Sequence, residues 1–198
     1  MLIKKRKLKG IFEIDLEPHI DKRGLFMRTY DEKAFKQYGL QRNWVEENHS
    51  FSMKKGTIRG LHFQFSPFLE AKLIRVVQGK VFKVYVDLRK NSTTFGKWES
   101  IILSEDNKKM LYVPQGFALG MCSLTDNSVV LYKMDNYYTP KAQGTIKWDD
   151  PDIGIKWPLK KGFIISDKDK EAMSFKEFFR IYGSIDSRIN NRGARILK

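Results

Sequence analysis

Residues 72–88 read KLIRVVQGKVFKVYVDL. Two runs rich in β-branched and aromatic residues flank Gln78-Gly79, and that dipeptide is a turn signal, so the spacing predicts a β-hairpin. In the second run Val81, Lys83, Tyr85 and Asp87 alternate with Phe82, Val84, Val86 and Leu88. A period of two gives a strand two distinct faces. Working outward, further short strands are expected over residues 98–103, 110–113, 129–133 and 145–148. Asn107, Pro114-Gln115-Gly116, Asp126-Asn127 and Pro140 punctuate them. Many short strands separated by turns predict a mainly β sandwich or barrel.

Two helices are expected at the periphery. Asp31 is placed to cap residues 32–38, with Gly39 ending that helix. The second is predicted over about residues 169–182, where Met173, Phe175, Phe178, Phe179 and Tyr182 share a face and Gly183 is a stop signal. These boundaries make residues 1–183 a single domain, followed by a basic C-terminal tail over residues 184–198.

The chain has 198 residues, 41% of them apolar, which is enough for one domain with a real core. It holds no apolar run of membrane-spanning length, so no membrane partner is expected. The basic start MLIKKRKLKG lacks the apolar stretch of a secretory signal. With a single cysteine, Cys122, no internal disulfide can form, which fits a cytoplasmic protein. The net charge of +14 is spread along the chain, with mild clusters at Lys4 to Lys9 and at Arg188, Arg192, Arg195 and Lys198. Neither zinc-finger spacing nor an aromatic-basic RNA-binding signature accompanies it, so nucleic acid is not expected as a partner. Cations in excess suit a solubilising surface or a phosphorylated ligand.

The chemistry concentrates around GTIRGLHFQ, residues 56–64. His62 is one of three histidines, and the other two, His19 and His49, lie upstream. Gln64 stands where a second metal-binding histidine would be expected, so a metal ligand set is not assembled. That leaves a hydrogen-bonded core histidine or a catalytic base. Arg59 and His62 are three positions apart and would point to opposite faces of a regular strand. A bulge at Gly60 would bring them to one cavity. Lys72, Tyr132 and Asp169 also have ordinary readings, as a strand-edge charge, a packing residue and a helix cap.

Other stretches add up to a family pattern. DKRGLFMR, ENHS, GTIRGLHFQ, AKLIRVVQGKVFKVYVDLR, STTFGKW, VPQGFALG, LYKMDNYYTP, WDDPDIGIKWP and ISDKD follow one another in order. Over about residues 10–170 the chain resembles the dTDP-4-dehydrorhamnose 3,5-epimerase family. The resemblance implies a cupin-like jelly roll with a few peripheral helices, and an isomerase that needs neither metal nor organic cofactor. It places the family's base on His62, the carboxylate partner on Asp169, the lysine on Lys72 and the general acid on Tyr132. Arg23 and Arg59 match substrate-contacting arginines, Asn48 a nucleotide contact and Tyr138 the aromatic that stacks on the base. Lys168, in ISDKD beside Asp169, joins the substrate contacts. The implied partners are a nucleotide-diphosphate sugar and a second copy of the chain, in a homodimer with exchanged N-terminal strands that carries Arg23 into the neighbouring site.

Four positions depart from the family pattern. Leu119 replaces a pocket histidine, Arg28 a glutamate, Glu46 a glutamine and Gln143 a glutamate. The changes fall at the sugar pocket and the nucleotide end. They keep open a C3-only or C5-only epimerase and a CDP- or UDP-linked substrate, since Glu46 can accept from a cytosine amino group but not from thymine. A binding homologue without activity is the alternative of a different class, and the retained His62, Lys72, Tyr132 and Asp169 speak against it.

Overall fold

The computed structural model describes residues 1–186. In chain order the elements are β1 (Leu2–Lys5), β2 (Phe12–Asp15), β3 (His19–Asp21), β4 (Gly24–Phe26), α1 (Glu32–Gln37), β5 (Glu46–Ser52), β6 (Ile58–Gln64), β7 (Lys72–Gln78) and β8 (Lys80–Asp87). There follow β9 (Trp98–Ser104), β10 (Lys109–Val113), β11 (Phe117–Ser123), β12 (Ser128–Met134), β13 (Gln143–Thr145), α2 (Asp167–Lys170) and α3 (Phe175–Tyr182). A six-stranded sheet has the order β1-β2-β10-β7-β12-β5, and a five-stranded sheet β13-β6-β11-β8-β9. The protein is a mainly β jelly roll, as the strand spacing and the family resemblance predict.

The expected hairpin at Gln78-Gly79 is not formed. β7 lies between β10 and β12 in one sheet, while β8 lies between β11 and β9 in the other. Gly79, at φ +75°, turns the chain from one sheet to the next, and its N–H donates to Glu105 at 2.8 Å. A side chain there would meet Thr125 Oγ1 at 2.6 Å, so the position requires glycine. Turn residues report that the chain reverses; they do not say which edge the next strand finds.

The alternation in β8 has two destinations. Val81 and Tyr85 point between the sheets and join Ile74, Leu111, Leu119, Met121 and Val130 in the central core. Val84 and Val86 point outward and are covered by Phe178, Ile153 and other residues of the C-terminal segment. β8 is therefore buried on both faces, and each large apolar side chain so buried contributes roughly 1.5–3 kcal/mol.

The predicted helix at 169–182 is two short helices. Between them Met173 is bridged to Ile146, with Lys147 N–H donating to the Met173 carbonyl at 2.9 Å. Of the expected strand 145–148, β13 ends at Thr145, although Ile146 still exchanges backbone hydrogen bonds with Leu61 at 3.0 Å. α3 restarts at Ser174, which forms a capping box with Glu177, and ends at Gly183. Asp31 caps α1 as expected, accepting from Ala34 N–H at 3.1 Å. Ser184 to Asp186 stay with the body, since Ile185 is buried and exchanges backbone hydrogen bonds with Leu88 and Lys90. The basic cluster from Arg188 to Lys198 lies outside the described residues.

Candidate active site

His62 is positioned by a break in the pairing of β6 with β11. Leu119 pairs with His62 and Met121 with Arg59, so β6 carries one more residue than its partner over that stretch. Gly60 sits in this bulge at φ +115°, and a Cβ would meet the Leu119 carbonyl oxygen at 2.4 Å. The extra residue turns Arg59 and His62 toward the same cavity. Among the described residues of the anticipated site, this juxtaposition depends most directly on one glycine.

Asp169 reaches His62 from the opposite end of the chain. Ser166 caps α2 by accepting from Asp169 N–H at 3.3 Å, so Asp169 is not itself the cap. The buried Asp169 carboxylate instead faces β6. Its Oδ1 lies 2.7 Å from His62 Nε2, and its Oδ2 accepts from Gly60 N–H at 3.1 Å. Burial opposes the charge, but the His62 ring, the Gly60 N–H and Ser166 together hold the carboxyl below its ordinary range. An ionised carboxylate on Nε2 fixes the ring orientation and leaves Nδ1 to take a proton.

Two connected spaces meet at Arg59 and His62. The outer one, about 500 Å³, is lined by Tyr138, Gln143, Ser166, Lys168 and Asp169 among others. Tyr138 hydroxyl and Lys168 Nζ both donate to Gln143 Oε1 at 2.7 Å, and Tyr138 N–H donates to Glu46 Oε2 at 2.6 Å. The inner one, about 90 Å³, runs between the sheets and is lined by Lys72, Tyr132, Leu119, Ser50 and Lys83. Lys72 Nζ lies 5.4 Å from the centre of the Tyr132 ring. Burial, with Glu46 and Glu70 nearby, pushes the Tyr132 phenol up, so it remains a proton donor.

Most of the anticipated residues thus converge, and three do not. Arg23 is exposed on the β3–β4 hairpin, where it pairs with Asp21 at 2.6 Å. Arg28 is exposed and pairs with Asp31 at 2.9 Å. Asn48 lies on β5 opposite Tyr132, and its amide points to Met134 Sδ at 3.4 Å. Lys72 is not a strand-edge charge, because its ammonium is largely buried and lies 3.1 Å from Glu70. Glu70 was not anticipated. Its carboxyl is pushed up by burial and held back by Lys72 and Gln64. Gln64 proves to be a scaffold residue, donating to Glu70 and the Phe68 carbonyl and accepting from Thr139 N–H. Lys83, also unanticipated, was visible as a lysine on the core face of β8. Among the described residues no group of three or more histidine, cysteine or acidic side chains is arranged to hold a metal.

The comparison with known proteins decides the family. Residues 5–177 match the model of the dTDP-4-dehydrorhamnose 3,5-epimerase family. The chain belongs to that family. It is an isomerase, a carbohydrate epimerase, as its family membership shows. The dTDP-4-dehydrorhamnose 3,5-epimerase of Methanothermobacter thermautotrophicus is 43% identical over 87% of this chain and 94% of its own. The Legionella pneumophila 3,5-epimerase, solved with dTDP-4-keto-L-rhamnose, superposes with a TM-score of 0.83 at 36% identity, covering 87% of this chain and 92% of that one. A 3'-monoepimerase of Streptomyces bikiniensis, solved with dTDP-quinovose, superposes at 0.85 with 28% identity over 91% of each chain. No helix among the described residues is long and apolar enough to cross a membrane.

Proposed function

We propose that this epimerase inverts C3 and C5 of a dTDP-linked 4-keto-6-deoxyhexose, in the cytoplasmic synthesis of rhamnose-type deoxysugars for surface polysaccharide. The observation that carries the reading is the 2.7 Å contact of His62 with Asp169 at the mouth of a cavity that also holds Lys72 and Tyr132. In a 4-keto sugar the ketone acidifies the C–H bonds at both neighbouring carbons. His62 Nδ1 removes the proton, and Asp169 stabilises the imidazolium through Nε2. The electrons move onto the ketone oxygen, and Lys72 stabilises that enolate. Tyr132 returns a proton to the opposite face, which inverts the carbon. No cofactor enters this scheme, because the ketone itself acidifies the carbon.

The nucleotide extends into the outer cavity, with its base against Tyr138. Gln143 and Lys168 border it, Glu46 holds the Tyr138 backbone beside it, and Arg59 contacts the diphosphate. Leu119 gives the sugar an apolar wall. Asn48 and Arg28 complete the nucleotide end upon binding. Arg23 serves the neighbouring subunit of a homodimer. The exposed Ile20, Leu25 and Phe26 of its hairpin support this, being an apolar surface suited to a partner. β1 pairs with its own β2, so the hairpin is the N-terminal segment available for exchange.

The test is incubation with dTDP-4-keto-6-deoxyglucose in deuterated water, followed at C3 and C5 by NMR. Deuterium at both carbons is expected. Deuterium at one carbon alone would make the protein a mono-epimerase like the Streptomyces relative. No exchange with dTDP-, UDP- or CDP-linked sugar would overturn the reading. Sedimentation should give a dimer, and Arg23→Ala should raise KM without dissociating it.

A further inference from the structure

Lys83 is the ionisable residue of the inner space that this scheme leaves unused. It lies on the interior face of β8 between Val81 and Tyr85, opposite Met121 of β11 and Ile101 of β9. It is buried, and its side chain borders the inner space together with His62, Lys72 and Tyr132. A buried ammonium ordinarily comes with a carboxylate. Lys72 has Glu70. Among the described residues Lys83 has no ion-pair partner.

The groups lining this space with Lys83 supply no negative charge. Lys72 comes from β7, Arg59 and His62 from β6, Tyr132 from β12 and Ser50 from β5, while β11 presents Leu119 and Met121, and on β9 the register neighbour of Lys83 is the apolar Ile101. Burial first, and repulsion from Lys72 second, push the Lys83 amine down to about 7. Such a group is poorly matched to an empty cavity and well matched to one that acquires an anion. The enolate oxygen of the proposed reaction is that anion, and stabilisation that appears only as charge develops accelerates the chemical step.

We infer that Lys83 is a further catalytic residue, whose ammonium joins that of Lys72 in a two-amine oxyanion site for the ketone oxygen. This role rests on the epimerase reading above. Lys72, anchored by Glu70, is the fixed donor. Lys83, without an acid partner, is the donor whose charge the enolate itself favours.

The test is the rate of exchange of the keto sugar as a function of pH for wild type, Lys83→Met and Lys83→Arg, with a thermal melt of each. Lys83→Met is expected to lower kcat about 10²-fold with little change in KM. It should also remove an alkaline limb near pH 7 from kcat/KM. Lys83→Arg should recover part of kcat and shift that limb upward. A folded Lys83→Met with wild-type kcat and pH profile would overturn the role and leave the epimerase reading standing. A wild type that exchanges nothing would overturn both, which separates the two failures.

Discussion

His62 Nε2 and Asp169 Oδ1 lie 2.7 Å apart although 107 positions separate them in the chain, and the same carboxylate accepts from the Gly60 N–H. One acid therefore orients the base and ties down the bulge that presents it. Asp169→Asn offers an amide that can donate to Nε2 and move the ring proton onto Nδ1. Its exchange rate should fall on the order of 10²–10⁴-fold. A melting temperature close to wild type, with KM little changed, would show that the loss is chemical.

Gly60→Ala attacks the same geometry from the backbone. Its Cβ would collide with the Leu119 carbonyl oxygen at 2.4 Å, in a region of φ that side chains disfavour. Denaturant unfolding should show a loss of about 2 kcal/mol or more. Activity measured well below the new melting point should remain far under wild type, since Arg59 and His62 no longer share the cavity. Full activity in the folded fraction would contradict the bulge's role.

Stability should carry a signature of Lys83. Its amine falls from 10.5 to about 7 on folding, so between those values the unfolded chain binds more protons and wild-type stability rises with pH. Below about pH 7 the full penalty of the buried charge is present. Lys83→Met should therefore stabilise the fold by ~1–4 kcal/mol near pH 6. The gain should shrink steadily toward pH 10. A gain independent of pH would mean that the amine is not desolvated.

Asp87 predicts the opposite slope in acid. Burial opposes its charge, yet hydrogen bonds from Arg89, Ser92 and Thr94 hold the carboxyl below its ordinary range. A depressed folded value stabilises above the unfolded carboxylate range and is lost as pH falls through the folded one. Asp87→Asn should cost about 3 kcal/mol at neutral pH. The gap to wild type should close as both are titrated into acid. A constant gap would assign the cost to packing instead.

The strands at 72–78, 80–87, 98–104, 109–113 and 128–134 and the first helix were legible in the sequence, because each rests on local physics, whereas the roles of His62, Lys72, Tyr132 and Asp169 came from the family resemblance and not from local spacing. Alternation in Val81 to Leu88 follows from the pleat of a strand, and Asp31 caps α1 through a hydrogen bond three residues away. The second helix was misread because its apolar spacing continues through Met173. That residue is bridged to Ile146, a partner no local pattern names.

By itself the sequence determined a mainly β domain, its turns, and a set of residues matching a family of epimerases. Tertiary structure alone decided that residues 72–78 and 80–87 join different sheets, because both edges of each strand are taken by other partners. It also decided that Lys72 of β7 and Lys83 of β8 border one space between the sheets. Local spacing sets where a chain turns and which face a side chain takes. Which faces enclose a common space is set by pairings between residues far apart, and at that level His62 acquires Asp169, and Lys83 comes to share a cavity with Lys72 and Tyr132.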